Sequence, residues 1–400
     1  DLKDERWRPV STTAAPSPRW FHGAVWTGSE MIIWGGRANF FAYNHNTDGG
    51  RYNPKSDHWS LMSQVNAPSP RSQFATIWTG REMIVWGGMG DDATELNDGG
   101  SYDPQRDAWT RLAACPLDPR IEPSAVWTGD EMIVFGGLKI DNYLSPGGEV
   151  WGTFGDGARY NPRTGHWRRL NSLGAPSSRT VHSAVWTGTE MLIWGGRYLP
   201  AETNVHGGAS YNPGTDSWTP IATSGAPEPR SAHAAVWSGS EMIVFGGWDD
   251  SYTAINTGGK YNPVSRTWRP TTLVNAPHRR FFEVPTASVW TERGIFIYGG
   301  YDYPISLNSA ALYHAEPSAS ALGMLEDLVA RVRSLDLQRK AERPLLASLL
   351  APFDSLERGK NQSAANQLEA FQRKVESQLR DDPVGQALID AAQAIIDSLH

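Results

Sequence analysis

Cysteine is almost missing from this chain: Cys115 is the single one among 400 residues. One thiol excludes an internal disulfide framework and any Cys-rich metal cluster, and it suits reducing and disulfide-free exported settings equally. No apolar run approaches the roughly 18 residues that a membrane-spanning helix requires. Basic residues are not in excess either, with 36 Lys and Arg against 43 Asp and Glu for a formal charge of −7. Nucleic-acid binding, which needs a basic face, therefore has no support. The opening DLKDER shows no signal-peptide pattern, and a processed exported chain would look the same. Gly-x-Ser-x-Gly, phosphate-loop and zinc-ligand spacings are absent as well. What the chain holds in quantity is 18 Trp, 40 Gly and 27 Pro. That mixture suits an all-β protein with many tight turns and aromatic packing.

The stretch AVWTGSEMIIWGG at 24–36 joins two short apolar runs through a turn and stops at a glycine pair. It returns as TIWTGREMIVWGG (76–88), AVWTGDEMIVFGG (125–137), AVWTGTEMLIWGG (184–196), AVWSGSEMIVFGG (235–247) and SVWTERGIFIYGG (288–300). Trp26, Trp78, Trp127, Trp186, Trp237 and Trp290 lie 52, 49, 59, 51 and 53 residues apart. Each copy reads as a hairpin of strands a and b. Strands c and d follow in RYNPKSDHW (51–59), SYDPQRDAW (101–109), RYNPRTGHW (159–167), SYNPGTDSW (210–218) and KYNPVSRTW (260–268), with Asn-Pro or Asp-Pro at the turn. Apolar runs this continuous imply sheets covered on both faces. The glycine pair is expected to permit positive φ and to let the Tyr and Trp of adjoining strands lie flat on the backbone.

A period near 50 residues with this order of apolar run, Gly-Gly, Tyr and Trp resembles the kelch repeat across roughly residues 6–315. The resemblance, closest in kind to bacterial kelch propellers, implies one four-stranded blade per repeat. The sixth copy lacks its strand-d Trp, while ERWRPVSTTAAPSPR (5–19) matches DHWSLMSQVNAPSPR (57–71). Trp7 thus takes the part of Trp59, and the expected fold is an all-β six-bladed kelch propeller over 1–316 whose last blade is closed by the N-terminal strand. Closure removes exposed sheet edges.

From 317 to 400 the periodicity becomes helical. Leu322, Leu325, Leu328, Val332 and Leu335 share one face, as do Leu345, Leu349 and Phe353, then Leu368, Phe371, Val375 and Leu379. Asp382-Pro383 suits the start of a last helix carrying Leu388, Ile395, Ile396 and Leu399. A four-helix bundle is expected. NQLEAFQRKV (366–375) and ALIDAAQAIIDSL (387–399) resemble the FIMAH-like module of bacterial secreted and surface proteins, with Ala365 where members often carry Cys. The resemblance implies a secreted, cell-surface or periplasmic location.

In a propeller the variable b–c loops and the d–a loops share one face, where recognition is expected. Phe41, Trp151, Trp248, Tyr252 and Tyr301 are its aromatic candidates, suited to a glycan or a protein. Arg19, Arg71, Arg120, Arg179 and Arg230 each precede the strand-a Trp by seven residues, and Arg280 keeps its offset from Ala276-Pro277. Six arginines offer forked donors to carboxylate or sulfate, or they tie loops together through carbonyls. Arg37 and Arg197 follow the glycine pair in two repeats alone, so symmetry does not demand them. His22, His182 and His233 stand at one repeat position and read as packing residues. His45, His206 and Tyr43 do not, and are candidates for acid–base chemistry beside a carboxylate or tyrosine. Asp91-Asp92 and Asp249-Asp250 are possible loop calcium ligands; no other metal or cofactor is expected. Copper radical oxidase chemistry lacks a partner for Cys115, and Glu202-Thr-Asn-Val-His206 lacks the middle Asp of the specifier-protein iron run. The expected function is ligand binding by a monomeric, secreted propeller. The alternative is a carbohydrate-active enzyme, a sugar mutarotase or epimerase or a uronate lyase, using Arg, His and Tyr at the pore mouth.

Overall fold

A computed structural model describes residues 10–38, 44–141, 150–271, 279–280, 360–379 and 383–399, with shorter stretches of 288–313 and single helical positions within 325–356. Five antiparallel sheets carry four strands each, in the order a-b-c-d. Sheet 1 comprises Gly23–Trp26, Met31–Trp34, Gly49–Asn53 and His58–Leu61. Sheet 2 comprises Ala75–Trp78, Met83–Trp86, Gly99–Asp103 and Ala108–Arg111. Sheet 3 is built from Ser124–Trp127, Met132–Phe135, Gly157–Asn161 and His166–Arg169, and sheet 4 from Ser183–Trp186, Met191–Trp194, Gly208–Asn212 and Ser217–Pro220. Sheet 5 has Ala234–Trp237, Met242–Phe245, Gly258–Asn262 and Thr267–Pro270. The sixth repeat forms a three-stranded sheet of Ser288–Thr291, Gly294–Tyr298 and Ala310–Tyr313.

Each strand a packs beside the strand a of the next repeat, from Gly23–Trp26 through to Ser288–Thr291. Every residue of strand b is buried in sheets 2 to 5, which is the both-faces burial the apolar runs call for. The core lies between sheets. Ile84 and Trp86 of sheet 2 share one cluster with Met132 and Val134 of sheet 3, and the pattern repeats from 3 to 4 and from 4 to 5.

The glycine pair ending strand b takes the expected positive φ, but what it makes room for is a loop backbone and not the expected Tyr and Trp. Gly35 and Gly36 both take positive φ, +66 and +90. The d–a loop of the next repeat passes there: Gly36 N donates to Arg71 O at 2.8 Å, and a Cβ on Gly35 would stand 2.8 Å from the same oxygen. It is the strand-c glycines that meet the tryptophan: a Cβ on Gly50 would lie 3.1 Å from the Trp59 ring.

Neighbouring sheets are also stitched along their outer edges. The indole N–H of Trp109, Trp167, Trp218 and Trp268 donates to Ser63 O, Ala113 O, Asn171 O and Ala222 O, each four residues past the preceding strand-d Trp. Trp59 donates to Ser11 O at 2.9 Å in the same way, and Ser11 is four residues past Trp7. Trp7 itself lies outside the described residues.

The chain divides into two compact units, Asp1–Thr291 with Phe296–Ala311, and Glu292–Ile295 with Leu312–His400. In the second, α1 (Asn361–Gln378) and α2 (Pro383–Asp397) pack on one another. Their apolar faces, Leu368, Phe371 and Val375 against Leu388 and Ile395, share a core with helical residues Leu325, Leu328, Leu345 and Leu349. Asp382 lies outside the described residues.

Candidate functional site

The b–c and d–a loops meet through short β-bridges. The residue after each ring arginine pairs with the residue after the glycine pair: Trp20 with Arg37, Ser72 with Met89, Ile121 with Leu138, Thr180 with Arg197 and Ser231 with Trp248. This geometry decides what each candidate side chain can do.

The repeated arginines are occupied by the scaffold. Arg179 Nε donates to Ser177 O, and its Nη1 donates to Gly195 O at 2.9 Å and Gly207 O at 3.0 Å. Arg71 reaches Ser69 O, Gly87 O and Asp98 O, and Arg230 reaches Glu228 O, Gly246 O and Thr257 O. Arg19 spans Ser17 O, Gly35 O and Asp48 O. Arg280 is buried, and its carbonyl accepts Gly247 N. Of the two expected roles, the structure gives Arg19, Arg71, Arg179 and Arg230 the tying of loops through carbonyls. Burial lowers the Arg179 and Arg230 pKa to about 10, still charged at neutral pH.

Arg197 differs. It is 2% exposed, yet none of its three guanidinium nitrogens has a hydrogen-bond partner among the described residues. The guanidinium lies over the face of Tyr252 from the next repeat's b–c loop, 4.1 Å from Cζ to the ring centroid. Tyr252 is 52% exposed, sits at φ +56 and packs edge-on against Trp248. Arg37 is buried with its Cζ 4.7 Å from the Phe21 ring. Arg37 and Arg197 thus occupy matching positions in sheets 1 and 4, each stacked on an aromatic ring.

Three neighbouring residues were not singled out by the sequence. Glu122 accepts from Gln73 Nε2 at 2.7 Å and Thr180 Oγ1 at 2.9 Å. Burial pushes its carboxyl pKa up, against the lowering effect of those two bonds and of Arg37 nearby. The position two residues past each ring arginine holds Phe21, Gln73, Glu122, Val181 and Ala232, all at positive φ. Polarity in just two of these five repeats is the signal that would have found them.

The histidines separate into two kinds. His182 Nε2 lies 2.7 Å from Ser124 Oγ and His233 Nε2 2.9 Å from Ser183 Oγ, each bridging to the preceding sheet. Burial drives the His182 pKa well below the usual value and that of His233 to about 3. His45 does find the carboxylate it lacked in sequence: Nδ1 is 3.0 Å from Asp91 Oδ1, and Nε2 is 2.9 Å from Ser72 Oγ. His206 is exposed. Asp249 closes its own loop on Ser251 N and Thr253 N, and Asp250 accepts Asn204 N. Among the described residues no group of acidic, His or Cys side chains could hold a metal. Phe41 and Tyr43 lie outside the described residues, as do the side chains of Trp151 and Tyr301.

Four-stranded sheets repeated side by side, each contributing one variable loop to a common face, define a propeller-type interaction scaffold. The chain belongs to the kelch-repeat family: the model of the KLHDC2/KLHL20/DRC7 Kelch-repeats domain matches residues 1–137, 43–189 and 142–319. The chain is also similar to Host cell factor homolog hcf-1 of Caenorhabditis elegans, 29% identical over 271 residues, which is 61% of this chain and 33% of that protein. The chain thus spans about a third of that relative's length.

Proposed function

We propose that the chain is a six-bladed, ring-closed kelch propeller that binds an acidic segment of a protein partner on its b–c and d–a loop face. Closure is supported by Ser11, which meets Trp59 in the register of a residue leaving strand d. Binding is carried by Arg197. A buried guanidinium without hydrogen-bond partners among the described residues is costly, and once the loop carrying the half-exposed Tyr252 parts from it, a carboxylate or sulfate offered by a ligand would supply the missing fork. Tyr252 holds the planar group in place by stacking on it, and Glu122, fixed by Gln73 and Thr180, provides an acceptor for the partner's amide or hydroxyl donors.

The enzyme reading rests on the relay Asp91–His45–Ser72, whose order matches an acid, a base and a nucleophile. Ser72 is fully buried and its backbone is paired both ways with Met89. A substrate carbonyl has no path to that hydroxyl, so the relay serves as a clamp between repeats 1 and 2, and binding is the better reading.

An array of acidic, neutral and basic peptides and of sulfated and neutral glycans tests this on the intact protein. Selective retention of acidic peptides, abolished by Arg197→Ala and not restored by Arg197→Lys, is the expected result. Retention indifferent to Arg197 would overturn it.

A further inference from the structure

The tryptophans of strand d and of strand a are treated differently. Every described strand-d indole N–H is bonded to a carbonyl of the neighbouring repeat. The strand-a tryptophans, Trp26, Trp78, Trp127, Trp186 and Trp237, make no hydrogen bond, ion pair or ring contact with one another or with any described group, and their indole nitrogens are not buried. All five line one wide-open depression of about 480 Å³ at the a–b turn end of the inner strands, opposite the loop face. The remaining described lining is Val, Ile and Ala with Thr76, so none of the described lining residues is charged. The rim is open: a Cβ on Gly28, Gly80, Gly129, Gly188 or Gly239 in the a–b turns would touch nothing within 4 Å.

We infer that this depression is a binding site for a neutral pyranose, the terminal unit of a glycan. The indole N–H groups reach solvent, so each can exchange its water for a hydroxyl oxygen of a ligand. Indole faces need C–H surface to cover. A sugar ring presents both, hydroxyl oxygens on its edge and an apolar face of C–H groups. A cation would use the faces and waste the donors, and it would find no carboxylate among the described lining residues. An anion would use the donors with no Arg or Lys among those residues to hold its charge. This uncharged described lining favours the neutral ligand, and the site is separate from the Arg197 face.

Saturation-transfer NMR and calorimetry with methyl α-glucoside, methyl β-galactoside and methyl α-mannoside on the intact protein test the inference, with tetramethylammonium as the competing probe. At least one glycoside is expected to bind in the millimolar range or tighter. Trp127→Leu combined with Trp186→Leu is expected to weaken it by about tenfold or more, the scale of one lost aromatic contact. Trp26→Ala, at a side chain already 52% exposed, supplies a variant with little effect on folding and a smaller loss of affinity in the same direction. Arg197→Ala is expected to leave glycoside binding unchanged. No glycoside binding at about 10 mM, tetramethylammonium binding in its place, or glycoside affinity indifferent to the tryptophan changes would each overturn the proposal.

Discussion

Arg179 and Arg197 belong to the same repeat, both are buried, and their surroundings are opposite. Arg179 is ringed by Ser177 O, Gly195 O and Gly207 O, whereas Arg197 has a tyrosine face and no acceptor among the described residues. The first arrangement recurs in sheet after sheet because each d–a loop must cross the end of the next strand b, where carbonyls have lone pairs that the sheet ladder does not use. The second occurs where a repeat departs from its siblings. Repetition marks what the scaffold needs, and departure marks what a ligand needs.

Removing Arg179 is the strongest way to break the comparison. Arg179→Ala removes three charge-assisted bonds and leaves Gly195 O without its guanidinium donor, while Gly207 O keeps the Gly195 N–H, so the urea midpoint is expected to fall by an amount equivalent to about 3 kcal/mol. Arg197→Met gives the reverse. An isosteric apolar chain removes an unpartnered buried charge, so stability is expected to hold or to rise by about 1 kcal/mol. Acidic-peptide affinity drops in the same variant by about 10- to 100-fold, the scale of a lost charge-assisted fork. Equal destabilisation by the two substitutions would erase the distinction between them.

Acid sharpens the same contrast among the histidines. His182 and His233 are buried and neutral, with folded pKa values below the unfolded value near 6.5. The unfolded chain therefore takes up protons first as pH falls. Their contribution to stability is whole above about pH 6.5 and drains away as pH falls, for His233 towards pH 3. For His233 the loss at pH 5 is roughly 2 kcal/mol. Repeat 2 already carries Phe74 at this position, so His233→Phe is expected to flatten the acid limb of a stability–pH curve.

Much of this was legible from residue order. The Trp spacing and the glycine pairs gave the sheets, their strand order and the burial of strand b on both faces, because each is a local pattern repeated often enough to exclude chance. Arg37 and Arg197 stood out as breaks in that pattern. The pairing of Asp91 with His45, and of Gln73 and Thr180 with Glu122, was not legible. Each joins loops of different repeats some fifty residues apart, and no local periodicity encodes which loops touch. The reason for the glycine pair was hidden likewise, since the atom it makes room for, Arg71 O, belongs to the next repeat.

The smallest effect lies at Tyr252, where the comparison becomes quantitative. If Arg197 is held ready by stacking, the ring matters through its face and its hydroxyl does not. Tyr252→Phe should then leave acidic-peptide affinity unchanged. Tyr252→Leu should cost about 0.5–1 kcal/mol, a two- to fivefold weakening read by calorimetry. That loss should vanish in an Arg197→Met background, because a ring that acts only through the guanidinium has nothing left to position. A penalty that persisted there would mean that Tyr252 touches the ligand directly. Arg197 would then be one contact among several on that face instead of the anchor of the site.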